Sequence, residues 1–187
     1  MSRRILPVVL AVALCAPGAA RADSLVLAAE VGEAYAWFSN WDQAEPLTQL
    51  GLRAFIIDSD EIDLGGGIRL GKPWGGDSPN AGAMSLDFTF RYHDDLYGDE
   101  NFEPLFLMSV CYSHLWAENR PLPPPANTAS TWSTREGFGL RLGGGFLITA
   151  DEFYFDMTIY GIAELLWPEP DFVAGGGLDM ALGIYLD

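Results

Sequence analysis

Lysine is almost missing from this 187-residue chain, with Lys72 as its single example. Soluble proteins usually cover their water-facing surfaces with Lys and Glu, so this shortage implies that something other than water touches much of the outside. Cysteine is as scarce, at Cys15 and Cys111. Cys15 falls in the N-terminal segment discussed next, so the rest of the chain has no pair for an internal disulfide, and Cys111 reads as a packed small side chain. Catalytic signatures are also missing: there is no CxxC, HExxH, GxSxG or phosphate loop. After residue 22 no stretch repeats apolar residues at helical spacing, which excludes a helical bundle or a Rossmann-type domain.

The first 22 residues, MSRRILPVVLAVALCAPGAARA, combine a basic start, an apolar run from Ile5 to Cys15 and a small-residue end at Ala20-Arg21-Ala22. This is the pattern of a cleaved secretory signal peptide over residues 1–22. The run is broken by Pro7 and is shorter than the roughly 20 residues needed to span a bilayer as a helix. Residues 23–187 are then expected to form a single domain. Loss of Arg3, Arg4 and Arg21 takes the formal charge from -16 to -19, which disfavours nucleic acid and anionic membrane surfaces as partners.

What the chain has in abundance is period-two alternation, from end to end. Met84-Ser-Leu-Asp-Phe-Thr-Phe-Arg-Tyr-His93 is the cleanest case, with Met, Leu, Phe, Phe and Tyr on one face. Eight strands are predicted, at about 25–38, 47–57, 61–71, 84–93, 104–117, 137–149, 153–166 and 172–186. Tight turns follow the second and sixth, whereas the connections after the first, third, fifth and seventh are richer in Pro, Trp and Gly. The turn after the fourth is longer than this rule predicts.

Alternation does not say which face is inside. In a soluble barrel the apolar face points inward, and in an outer-membrane barrel it meets lipid. Three features favour the second. The polar face is mostly Gly, Ala, Ser and Thr, which suits the narrow interior of an eight-stranded barrel better than a surface in water. Four arginines on that face, Arg53, Arg69, Arg91 and Arg141, share it with Glu30, Asp63, Asp87, Asp156, Glu164 and Asp179. Arginine suits buried bidentate pairing with carboxylates, and these ten residues are the expected ion-pair network of a plugged lumen. Finally, Trp37, Trp41, Trp74, Trp116, Trp132 and Trp167 all lie at the ends of odd strands or in the loops that follow. All but Trp132 are assigned to an aromatic girdle at the outer interface, with Phe55, Tyr92, Phe153 and Tyr154 toward the other end.

In these features the chain resembles the small eight-stranded outer-membrane barrels of Gram-negative bacteria, the OmpX and OmpA transmembrane-domain type. The resemblance is architectural and covers residues 23–187. It implies an all-β, eight-stranded antiparallel up-and-down transmembrane barrel in the outer membrane. Its partners would be outer-membrane lipids, lipopolysaccharide and the assembly machinery, and no cofactor or metal is implied. The chain departs from the pattern at its end, Gly-Ile-Tyr-Leu-Asp187, where such barrels usually finish on an aromatic residue.

The expected role is structural or surface contact through acidic, Trp/Pro-rich loops, with a large open pore excluded by strand number. Two alternatives stay open. One is a lipid A-modifying acylhydrolase or acyltransferase, for which Ser113 and His114 are the weak catalytic candidates and Glu118 the orienting acid. The histidine-x-serine-asparagine order of the hydrolase is missing. The other is a soluble periplasmic barrel that binds an apolar ligand inside. His93, beside Asp94 and Asp95, is read as a hydrogen-bonded lumen residue near the periplasmic rim.

Overall fold

The computed structural model describes residues 24–38, 44–59, 61–73, 81–94, 102–118, 132–150, 152–167 and 170–186. They form eight strands: Ser24–Phe38 (β1), Ala44–Ser59 (β2), Ile62–Pro73 (β3), Gly82–His93 (β4), Phe102–Glu118 (β5), Trp132–Ala150 (β6), Phe153–Trp167 (β7) and Asp171–Leu186 (β8). Each pairs antiparallel with its neighbours in sequence, and β8 closes onto β1. Closure leaves no edge strand, as a spanning sheet requires. The eight-stranded antiparallel up-and-down barrel expected from the alternation is the observed fold.

The register fixes the tilt. From Glu30 the ladder runs through Gly51, Arg69 and Ser85 to Ser113 on β5. In the other direction it runs through Ala181, Asp156 and Leu147 to Glu103 on the same strand, a stagger of ten residues (113 − 103). With eight strands, that stagger tilts each by roughly 40° from the barrel axis. Such a barrel has room inside for side chains only.

Odd and even positions sort cleanly between the two faces. Leu50, Leu52, Phe88, Leu140, Ile159 and Leu182 are exposed on the outside, while Arg53, Asp63, Arg91, Arg141, Asp156 and Asp179 are buried inside. This is a water-soluble protein turned inside out. The ends of the barrel differ: β2–β3, β4–β5 and β6–β7 connect at what is called here the turn end, and the other four joints lie at the loop end. At the turn end the His93 amide donates to the Glu61 carbonyl (3.0 Å) and the Tyr185 amide to the Glu152 carbonyl (2.9 Å).

Most strands run further than the apolar pattern indicates. β6 begins at Trp132, five residues before its expected start, and β2 begins at Ala44, three before. Near the loop end the outward positions turn polar, at Thr134 and Glu136 for example, so the apolar signal stops while the ladder to β5 continues. Two inward glycines are required by close approach. A Cβ on Gly145 would collide with the Met157 carbonyl, and one on Gly183 with the ring of Tyr154 that lies over it. The signal-peptide segment, the loops, Trp41 and Trp74 lie outside the described residues.

Candidate functional site: the barrel interior

The interior is layered along the barrel axis. At the turn end Val26, Ala28, Phe55, Leu147, Tyr154 and Ala181 form an apolar cluster against which Tyr185 packs. Toward the loop end Leu166 and Val173 form a second one with Ala36 and Leu115. Charged residues fill the space between. Phe55 and Tyr154, expected toward this end of the barrel, lie there and face inward. Each shares the parity of a charged neighbour on its own strand, Arg53 and Asp156, and the apolar layer is what those charges need above and below them. Tyr92 and Phe153 do face outward.

Nine of the ten residues assigned to the ion-pair network are joined by continuous contacts. Arg53 spans three carboxylates: its Nε meets Glu30, its Nη1 lies 3.4 Å from Asp156 Oδ1 and its Nη2 3.3 Å from Asp179 Oδ2. Arg69 pairs with Glu30 and Asp87, and its Nη2 lies 3.7 Å from Asp179. Arg91 donates from Nε to Asp63 Oδ2 (2.7 Å) and from Nη1 to Asp156 Oδ2 (3.2 Å), and its guanidinium lies 4.1 Å from the Phe55 ring centre. Arg141 reaches Asp179 Oδ2 at 3.5 Å and stacks 4.3 Å from the Tyr160 ring. Flat, delocalised guanidinium groups can pair at their edges and stack on their faces at once, which an ammonium cannot do. All of these side chains are buried, so each charge depends on its partners for the solvation that water would have given.

The tenth residue, Glu164, stands apart. It accepts a hydrogen bond from Ser113 Oγ at 2.7 Å and makes no ion pair with any of the four arginines. His93 closes the turn end of the network, with Nε2 3.3 Å from Asp63 Oδ2 and Nδ1 on Glu103. Thr89 and Ser109 share a 2.8 Å hydrogen bond on the adjoining wall. Among the described residues, no three His, Cys, Asp or Glu side chains converge as a metal site would need.

Two buried interior charges escaped the reading of the sequence, Arg135 and Asp171. Both continue an alternation already recognised, Arg135 that of Gly137, Gly139 and Arg141, and Asp171 that of Val173 and Gly175. They were missed because the predicted strands started at 137 and 172.

The structure does not bring the three weak catalytic candidates together. Ser113 and His114 are consecutive in β5, so they point to opposite sides of the wall: Ser113 is buried against Glu164, and His114 faces outward. Among the described residues His114 has a carboxylate at the edge of ion-pair reach in Glu136 on β6, with 4.0 Å between Nδ1 and Oε1. Of Glu118 only the backbone, in β5, is described. Around His114 the outer surface is aromatic. His114 lies 5.9 Å from Trp116, Tyr112 5.3 Å from Phe138, and Phe138 stacks on Trp167 at 5.3 Å. Trp37 lies in β1 near the same end.

A closed, antiparallel eight-stranded barrel, apolar outside and salt-bridged inside, defines the fold class of the small outer-membrane β-barrels. Comparison with solved structures gives the same class. The chain is similar to Neisserial surface protein A, with 12% identity over 86% of this chain and 96% of that one and a TM-score of 0.63. It is also similar to Ail, the attachment invasion locus protein of Yersinia pestis, with 10% identity over 87% and 98% and a TM-score of 0.53. The outer membrane enzyme PagL gives 13% identity over 81% and 97% and a TM-score of 0.51. At these identities the likeness concerns the fold. No protein-family model matches the chain, and no curated protein is similar to it in sequence.

Proposed function

We propose that the chain is an outer-membrane β-barrel whose lumen is plugged by its own ion pairs and whose role is structural or in surface contact, through the acidic, Trp/Pro-rich loops at its loop end. The observation that carries this reading is the inverted distribution of the wall. Through the middle of the wall the outward positions are mostly leucine, isoleucine, valine, phenylalanine and methionine, and inward ones hold paired charges. Such a surface is stable against hydrocarbon, and in water it would aggregate.

The same geometry supports plugging. The side chains of Arg53, Arg69, Arg91 and Arg141 reach across the interior to strands several places away, and apolar clusters lie on both sides of them. A barrel of this size has no further space for a channel. A soluble barrel holding an apolar ligand would need an apolar interior, and this one is charged at mid-height. Lipid A modification through Ser113 and His114 has no shared site to work in.

Cell fractionation and gel migration test the proposal together. The folded protein is expected in the outer-membrane fraction, migrating differently with and without boiling, and is expected to give no steady conductance in planar bilayers. Recovery in the soluble periplasm would refute the location, and a stable open channel would refute the plug. The double variant Ser113→Ala/His114→Ala is expected to leave lipid A acylation unchanged.

A further inference from the structure

Among the described residues, one carboxylate interrupts the apolar outer face well inside the belt. Glu33 on β1 is exposed on the outside, in the same register as Val31 and Tyr35. It pairs across the ladder with Thr48, and Thr48 with Lys72, so the three form one lateral row over β1, β2 and β3. Val31 is the middle residue of β1, which puts Glu33 only ~5 Å above mid-height for a strand tilted by this much. The apolar band of such barrels is about 25 Å tall, so this carboxylate would sit among acyl chains.

Ionisable groups at that depth are costly and rare, and they face a partner. Among the described residues Glu33 receives one hydrogen bond, from Thr48 Oγ1 at 2.7 Å. Neither Glu33 nor Lys72 forms an ion pair among the described residues. Lys72 is the single lysine of the sequence, and it too faces outward. Between them β2 presents Leu50 and Leu52, each 63% exposed and among the most protruding apolar side chains of the wall.

The row is complementary to itself. A two-fold axis parallel to the barrel axis and placed over β2 sets Glu33 of one copy opposite Lys72 of the other, and the reverse. Leu50 and Leu52 of both copies meet on the axis. Lys72 lies ~11 Å above mid-height, and its four-carbon stem spans the ~6 Å down to Glu33. Such an isologous contact makes two equivalent ion pairs and removes both charges from lipid. We infer that the β1–β3 outer face is the contact between two copies of this chain, paired through Glu33 and Lys72. The inference rests on the outer-membrane reading above.

Cysteine crosslinking in outer-membrane vesicles tests it. Leu50→Cys is expected to give a disulfide-linked dimer. Leu140→Cys, on β6 across the barrel, is expected to give none, and Cys111 is buried inside. In the Leu50→Cys background, Glu33→Lys alone or Lys72→Glu alone is expected to lower the crosslinked fraction at least tenfold, because each places like charges together. Co-expression of the two single variants, one carrying an affinity tag, is expected to restore a mixed dimer. An ion pair within one chain would not behave in this way. Glu33→Gln and Lys72→Gln remove charge without adding any, so they keep the test readable if the charge reversals fail to fold, and each is expected to weaken the dimer.

Heat-modifiable migration of the same samples separates the two readings. A folded band in the membrane fraction with only monomeric Leu50→Cys overturns the dimer and leaves the location standing. Recovery in the soluble fraction overturns both. Equal crosslinking at Leu50→Cys and Leu140→Cys, or single variants that dimerise like the parent, also overturns the inference.

Discussion

Phe88→Arg tests the orientation of the whole wall. Phe88 lies near the middle of β4, faces outward with 51% of its surface exposed, and pairs with Gly66 on β3 and Val110 on β5. If lipid covers that face, arginine at mid-depth costs roughly 2–4 kcal/mol, whereas near an interface the cost falls to about 0–1 kcal/mol. Tyr92 is the matched control. It is on the same strand and face, four residues nearer the turn end, and so ~10 Å closer to the interface at this tilt. The two substitutions add the same group and differ mainly in depth. Unfolding of the reconstituted protein by denaturant, followed by gel migration without boiling, is expected to rank parent, Tyr92→Arg and Phe88→Arg in falling stability. If Phe88→Arg unfolds within about 0.5 kcal/mol of the parent, or no earlier than Tyr92→Arg, the outward face is not in lipid and the argument fails.

Other expectations concern the interior. Arg53→Met leaves Glu30, Asp156 and Asp179 short of a shared buried partner, and a loss of about 3–5 kcal/mol in the same denaturation assay is expected. The consecutive glycines of β6 should separate sharply. A Cβ on outward Gly144 has only the Leu105 carbonyl at 3.4 Å, so Gly144→Ala should fold normally, whereas Gly145→Ala should cost ~1–3 kcal/mol or block assembly. Cys111, fully buried, should stay unlabelled by a thiol reagent in the folded barrel and react once the protein is boiled in detergent.

How much of this was legible beforehand depended on where the physics leaves a sequence signal. Alternation is strong wherever one face meets a uniform apolar medium, so all eight strands followed from parity, and the small residues and arginines of the polar face then placed Arg91 and Asp179 inward. The signal fades at the loop end, where outward residues such as Thr134 and Glu136 are no longer held to lipid. Strand starts slipped there, and Arg135 and Asp171 went with them. The apolar inward residues were hidden for a different reason. Leu147 and Tyr154 share their faces with charges, and a local pattern cannot distinguish an apolar layer inside a barrel from an aromatic rim outside it. The separation of Glu164 from the other charges depends on distances across the barrel, which no strand carries by itself. Glu33 was readable by parity as an outward charge, but an isolated carboxylate amid leucine and valine was passed over.

The ion pairs also bear on how the barrel comes to be closed. Asp179 lies on the last strand and receives Arg53 from the second, Arg69 from the third and Arg141 from the sixth. Arg53 and Asp179 are 126 residues apart, so a nascent sheet of seven strands would hold three guanidinium groups missing a shared partner. The cost of those incomplete contacts falls on every partly zipped form and disappears only when β8 meets β1. The lumen thus acts as a latch, making the final strand's arrival an all-or-none event and discouraging sheets that stop early or pair in a slipped register.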